Sequence, residues 1–139
     1  MMKYRRILLL IICLLAGSLW ITSCLPGMRE DALLVGGVTI GPITPVEMPG
    51  QDIQVPPEVF ASRYLIIYDA SGKNLVREVY FTQIDGGATG YFAATIGAGT
   101  YTIDINHNGI DRAANFPMKI TVSKDETITI DVNIDTGIR

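Results

Sequence analysis

The chain has 139 residues, with 11 Lys plus Arg against 14 Asp plus Glu, one His and two Cys, for a formal net charge of −3. An acidic balance of this kind lacks the basic footprint on which phosphate binding depends, so nucleic acid is excluded as the expected partner. Two cysteines cannot build the disulfide framework of a small secreted scaffold, so the fold must rest on packing.

The chain opens with Lys3, Arg5 and Arg6 and no acid, followed by an apolar run from Ile7 to Ile21 broken only by Gly17 and Ser18. A basic start, a greasy middle and small residues at the end are the plan of a secretory leader. A spanning helix needs about 20 predominantly apolar residues. This run is shorter and ends in small and polar residues, so a cleaved leader over 1–23 is expected in preference to a permanent anchor. Its last four positions, Ile21-Thr22-Ser23-Cys24, resemble the lipobox of bacterial lipoproteins: an aliphatic residue, a small or β-branched one, a small one, then Cys. The resemblance implies a diacylglyceryl group on the Cys24 thiol and cleavage between Ser23 and Cys24. The alternative is an ordinary signal peptide with an incidental cysteine. Cys13, inside the apolar run, reads as a small hydrophobe. Two or more acyl chains hold a protein stably on a bilayer where one does not. The expected location is therefore extracytoplasmic, lipid-anchored at the cell membrane or outer membrane.

Cleavage would leave 116 residues, enough for one domain. The leader removes Lys3, Arg5 and Arg6, so the formal charge falls to −6, and Cys24 is the only cysteine left. Leu25 to Ala32 combines Pro, Gly and charge without a period, and reads as part of a tether over 24–32. From Leu33 to Arg139 short strand-like runs alternate with turn residues, the pattern of an all-β domain.

The first run, Leu33 to Ile40, contains Gly36-Gly37, which signals a bulge or a close backbone approach. Gly41 to Ser62 holds Pro42, Pro45, Pro49, Pro56 and Pro57. It cannot be a central strand, because proline has no ladder donor. It is expected to cross between sheets, with short extended pieces at most, either covering a sheet edge or carrying function. Tyr64 to Asp69 is a second strand, ended by the turn residues Ala70 to Lys73. Leu75 to Gln83 is read as one strand of mixed pattern, and Tyr91 to Ile96 as the next. Gly97 to Thr100 turns the chain into Tyr101 to Asn106, with Tyr101, Ile103 and Ile105 on one face. An irregular stretch from His107 to Pro117 leads to Met118 to Val122, and Lys124-Asp125-Glu126 makes the last turn. The closing strand is the clearest: Ile128, Ile130, Val132 and Ile134 alternate with Thr127, Thr129, Asp131, Asn133 and Asp135. Period two with one polar face predicts a sandwich with solvent outside. No helical period is evident after the leader.

The order Gly37-x-x-x-Gly41-Pro42, Tyr64-Leu-Ile-Ile-Tyr-Asp69 with Ser71-Gly72, Gly90-Tyr91-Phe92, Gly99-Thr100-Tyr101 and a final hairpin from Val122 to Ile134 is similar to the carboxypeptidase-regulatory-like, prealbumin-like domains. That resemblance implies an Ig-like antiparallel β-sandwich of about seven strands. The two ends, Gly41-Pro42-Ile-Thr44-Pro45-Val and Asp135-Thr136-Gly137-Ile138-Arg139, resemble a group of small secreted bacterial proteins. Many of those have a cysteine where this chain has Thr44, paired with a second one in the same loop; here that pairing is absent. The resemblance implies a fold and no activity.

Candidate chemistry is sparse. Asp104, Asn106, Asn108 and Gly109 match the first half of a calcium loop, but its twelfth position is Asn115 instead of Glu, and a strand precedes it in place of a helix. The competing reading is a turn at Asn108-Gly109. His107 is the only histidine, and no three-ligand metal set accompanies it. Ser62, Ser71 and Ser123 could formally join it in a hydrolase, but none sits in a nucleophile elbow. Trp20, the only tryptophan, belongs to the leader. Tyr64, Tyr68, Tyr80, Phe81, Tyr91 and Tyr101 are expected mostly in the core or across strands, with Tyr101 bonding back to a turn. The sequence thus predicts a non-catalytic lipoprotein with Cys24 as its one reactive position. It predicts no catalytic residue, metal site or cofactor, and its partners are the membrane and an envelope protein or glycan. The alternatives are a carbohydrate or peptide binder using loop 41–62, and a small hydrolase built on His107.

Overall fold

The computed structural model describes residues 31–45 and 54–138. The leader, Ser23 and Cys24 lie outside the described residues, as do most of the tether and positions 46–53 of the proline-rich excursion.

Two sheets face each other across an aliphatic core. The first strand, β1, runs from Asp31 to Gly41, two residues earlier than its sequence pattern suggests. A single helical turn, α1 (Pro57–Ala61), precedes β2 (Tyr64–Tyr68), β3 (Leu75–Tyr80) and β4 (Thr82–Gln83). Then come β5 (Thr89–Gly97), β6 (Gly99–Ile105), β7 (Arg112–Ala113), β8 (Met118–Val122), β9 (Thr127–Thr129) and β10 (Val132–Asp135). One sheet has the order β4-β5-β1-β10-β7, with β9 also on β1; the other has the order β3-β2-β6-β8. The fold is all-β, as the alternation predicts.

Alternation decides which side chains meet. Along β1, Ala32, Leu34, Val38 and Ile40 are buried, and along β5, Phe92, Ala94 and Ile96. The facing sheet contributes Leu65, Ile67, Val79, Ile103, Ile105 and Val122. On the closing segment Ile130, Val132 and Ile134 are buried while Asp131 and Asn133 are exposed, so its period reads correctly. A strand with one apolar face gains its stability only when that face is covered, which is why the two sheets are mutually dependent.

One pairing could not be read from periodicity. β1 is antiparallel to β5 over Asp31↔Gly97 to Thr39↔Thr89, but parallel to the closing segment. That second ladder runs from Leu33↔Thr127 to Val35↔Thr129 and resumes in the same register from Val38↔Val132 to Gly41↔Asp135. Nearly the whole domain separates these strands, so no hairpin turn dictates their direction. Between the two ladder sections the backbones close in. A Cβ on Gly36 would lie 1.7 Å from the Ile130 carbonyl oxygen and 2.9 Å from Cε1 of Phe92. The Ile130 N–H donates to the Val35 carbonyl at 2.9 Å. The glycine pair is the close approach that the sequence signals.

The stretch Leu75 to Gln83 is two strands, in different sheets. Tyr80 still pairs with Tyr64 in one sheet, whereas Thr82 already pairs with Tyr91 in the other. Phe81 at the crossing is buried, with its ring 6.0 Å from that of Phe92. A chain that changes sheets also changes which face is inside, hence the mixed pattern. In the proline-rich excursion α1 is too short to show a period; Pro57 opens it, where a missing N–H costs nothing, and Phe60 buries into the core.

The turns are held by side chains. The Asp69 carboxylate accepts from the Ser71 hydroxyl (2.6 Å), the Asn74 amide (2.6 Å) and the Ser71 N–H (3.0 Å). The Ser71 and Asn74 side-chain bonds hold its carboxyl well below the usual range. Tyr101 donates its hydroxyl to the Gly97 carbonyl at 2.9 Å, the bond back to a turn that its position suggests. At the far end of β1 the Thr136 N–H donates to the Gly41 carbonyl at 3.1 Å and its hydroxyl to the Pro42 carbonyl. The Gly137 N–H donates to the Asp135 carboxylate at 2.8 Å. The Gly41-Pro42 and Asp135-Thr136-Gly137-Ile138 motifs, far apart in sequence, thus form one clasp.

Replacing Gly36 by Ala must push the closing segment away from β1. We expect a loss of about 1–3 kcal/mol, the usual cost of overpacking. Gly37→Ala, whose Cβ would meet only the Asp131 carboxylate at 3.3 Å, should cost less. Urea denaturation of both variants checks the difference.

Candidate functional site

Two features of the described residues stand out, and the first takes in the end of the proline-rich excursion at Val59 and Ser62. The first is a polar cluster where α1, β2 and the segment after β6 meet. Arg63, just before β2, donates from Nε to Asp111 Oδ2 at 2.6 Å and from Nη2 to Asp111 Oδ1 at 3.1 Å. Its third nitrogen, Nη1, donates to the Val59 carbonyl at 2.8 Å, tying the end of α1 into the same fork. The side chains are 12% and 3% exposed, so this pair is buried. A buried ion pair must be geometrically good to repay its desolvation, and a two-point Arg–carboxylate fork with a further backbone bond meets that condition.

The residues considered for calcium or for catalysis lie around this fork with other partners. The Asn106 side chain accepts from the Tyr64 N–H at 3.3 Å and donates to the Ser62 carbonyl at 2.8 Å, stitching the end of β6 to the start of β2. Asp104 accepts from the Ile105 N–H at 2.8 Å and contacts His107 Nε2 at 3.1 Å. His107 Nδ1 contacts the Asp111 carbonyl at 3.2 Å, so both ring nitrogens are engaged by protein oxygens. Neither faces a serine: the Ser62 hydroxyl donates to the Val59 carbonyl and the Ser71 hydroxyl to Asp69. The Asn108 carbonyl accepts the Asp111 N–H at 3.2 Å, closing the turn that sequence reading offered as the competitor to a calcium loop. Chemically, the arrangement is a brace between two segments. The sequence flagged Asp104, Asn106 and His107 but missed Arg63, whose partner is 48 positions away.

The second feature is the solvent face of the β3-β2-β6-β8 sheet. Tyr64, Ile66 and Tyr68 alternate with the buried Leu65 and Ile67 and so point outward from β2. Tyr80 on the neighbouring strand is 57% exposed, and its ring lies 5.0 Å from that of Tyr64, tilted by 38°. Its hydroxyl donates to Glu78 at 3.0 Å, and that bond together with the Glu78 charge raises its pKa. Tyr91, on the other sheet, is 49% exposed. Of the aromatics expected in the core or across strands, Phe81 is buried and Tyr64 and Tyr80 pair across strands; among the described residues the buried aromatics are Phe60, Phe81 and Phe92. A phenol on an outward strand position keeps its hydroxyl in water, whereas a core position would require a partner for it.

Cys24 and Ser23, the residues of the predicted lipid attachment and cleavage, lie outside the described residues.

No family model matches the chain, and no curated protein matches it. A solved structure of a DUF3823 family protein from Parabacteroides merdae is similar to it at 22% sequence identity and a TM-score of 0.38. The match covers 75% of this chain and 45% of that one, so the chain spans less than half the length of that structure.

Removing one member of the buried fork leaves the other charged and unpaired. Arg63→Ala or Asp111→Ala should therefore cost about 3–5 kcal/mol, while an apolar pair such as Arg63→Met with Asp111→Leu should recover most of it. Denaturant midpoints of the single and double variants give the comparison.

Proposed function

We propose that the chain is the precursor of a lipid-anchored envelope lipoprotein whose β-sandwich, of the prealbumin-like kind, acts as a non-catalytic structural or protein-binding module. The observation that carries this reading is the basic-then-apolar leader ending in Ile21-Thr22-Ser23-Cys24. The position of the domain in the sequence agrees with it. β1 begins at Asp31, shortly after Cys24. Even fully extended, at about 3.3–3.6 Å per residue, the intervening chain reaches only roughly 20–25 Å. A lipid on Cys24 would hold the sandwich close against the bilayer, with no apolar patch of its own required. Inhibiting the lipoprotein signal peptidase in the producing cells should accumulate a full-length, lipid-modified precursor, and Cys24→Ala should abolish incorporation of labelled palmitate. An unchanged mature form under the inhibitor sinks the proposal.

A second reading, glycan or peptide binding, draws support from the tyrosines of the outer sheet face. The exposed Tyr80, backed by the half-buried Tyr64 and bonded to the Glu78 carboxylate, with Tyr68 half-buried further along β2, is a combination suited to stacking plus hydrogen bonding. This reading uses the β2–β3 face, where the sequence alone offers loop 41–62, of which positions 46–53 lie outside the described residues. Envelope glycans and extended peptides should then titrate the domain saturably. Tyr80→Ala should weaken binding by about 1 kcal/mol, roughly fivefold. Binding that ignores Tyr80, or no binding at all, contradicts it.

A further inference from the structure

Asn108-Gly109 is the one place in the sequence where an asparagine precedes a glycine; Asn74, Asn106, Asn115 and Asn133 are followed by Leu, His, Phe and Ile. Both residues of the pair are exposed. Gly109 has φ +64°, and a Cβ built on it would meet nothing within 4 Å, so the backbone there stands in open solvent. Among the described residues neither the Asn108 side chain nor the Gly109 N–H has a hydrogen-bond partner. The surrounding turn is anything but idle. The Asn108 carbonyl accepts the Asp111 N–H, Asp111 holds Arg63 in the buried fork, and Ile110 lies over Gly137 of the terminal clasp.

We propose that Asn108 is a site of spontaneous deamidation, with water as co-reactant, and that its conversion to isoaspartate releases the Arg63–Asp111 brace. The chemistry needs only groups on this turn. The Gly109 backbone nitrogen gives up its proton and attacks Cγ of Asn108. The Cγ–N bond of the side-chain amide breaks, and ammonia leaves with the proton it needs. The resulting succinimide then takes up one water at either carbonyl. Opening at the main-chain carbonyl gives isoaspartate; opening at Cγ gives aspartate. Overall an amide and water become a carboxylate and ammonia, with no change of oxidation state. A side chain on the following residue would crowd this ring closure, and glycine, lacking a Cβ, does not. A Gly109 amide already donating to another group would resist it, but this one is free.

The consequence follows from connectivity. In isoaspartate the chain runs through Cβ and Cγ of residue 108. It is one carbon longer there, and the former main-chain carbonyl becomes a free carboxylate. The oxygen that accepts the Asp111 N–H is then no longer fixed by the turn, and Asp111 loses the support that aims it at Arg63. Conversion to ordinary aspartate adds the charge without the extra carbon and leaves the turn closed.

The test is to age the purified protein at mildly alkaline pH and map it by tandem mass spectrometry, scoring isoaspartate with an isoaspartyl methyltransferase. Asn108 should lose its amide while the other four asparagines keep theirs, and methyl acceptance should rise in step. The isoaspartyl fraction should show faster hydrogen exchange at the Asp111 amide and a lower denaturation midpoint. The Asn108→Asp variant, with its normal backbone, should show neither. Retention of the Asn108 amide, or loss at all asparagines alike, overturns the site. An aged protein with unchanged Asp111 exchange overturns the link to the brace. So does an Asn108→Asp variant that loosens as much as the isoaspartyl form.

Discussion

The contact on which this sandwich depends is the approach of two backbones at Gly36 and Ile130. β1 is the central strand of its sheet, flanked by β5 on one side and by the closing segment on the other. Any side chain at Gly36 would collide with the Ile130 carbonyl, so the parallel ladder can form only because that position is bare. Once it forms, Ile130, Val132 and Ile134 are delivered to the core, and Thr136 and Gly137 reach the Gly41-Pro42 end of β1. A single seam thereby joins the beginning of the domain to its end. No disulfide is available to do this, since Cys13 and Cys24 are the only cysteines and both precede β1.

Beside the core of aliphatics and three phenylalanines stand the polar and aromatic residues of interest, the Arg63–Asp111 pair among them itself buried. They sort into two regions with different physical characters. The Arg63–Asp111 fork, with Asn106 and His107 around it, spends its hydrogen bonds on the protein itself, and that internal satisfaction marks a brace. On the outer face of β2 and β3, Tyr64 and Tyr68 are half-buried and Tyr80 is exposed with its ring against Tyr64. Exposed aromatic surface is where a partner can gain free energy, so the binding proposal rests on the tyrosine face, while the fork serves the domain itself.

Much of this was legible in the sequence, and the limits have physical causes. The closing strand reads cleanly because it is half-buried along its whole length, so period two survives from Thr127 to Asp135. The glycine pair in β1 reads as a close approach because glycine in a strand interior has few other uses. Leu75 to Gln83 misleads because the chain exchanges inside for outside at Phe81. The parallel direction of the closing segment leaves no trace in either strand, since hydrophobic pattern fixes which face is buried and says nothing of strand direction. The fork was invisible because Arg63 and Asp111 become neighbours only when β2 and the end of β6 are already paired. Tyrosine suits a core and an outer sheet face equally well, so the sequence leaves both open for Tyr64 and Tyr80, and only the register of β2 decides for the cross-strand pair. The proposed lipid attachment at Cys24 is read from sequence alone, because that residue lies outside the described ones.

The claim that the β1–closing-strand seam holds the domain together is tested most directly by native-state hydrogen exchange. If it is right, the Ile130 amide, bonded to Val35 across the seam, exchanges only through global unfolding, together with the β1–β5 ladder. If Ile130 instead exchanges by local opening while β2 and β6 stay protected, the closing segment is an appendage and the account is wrong.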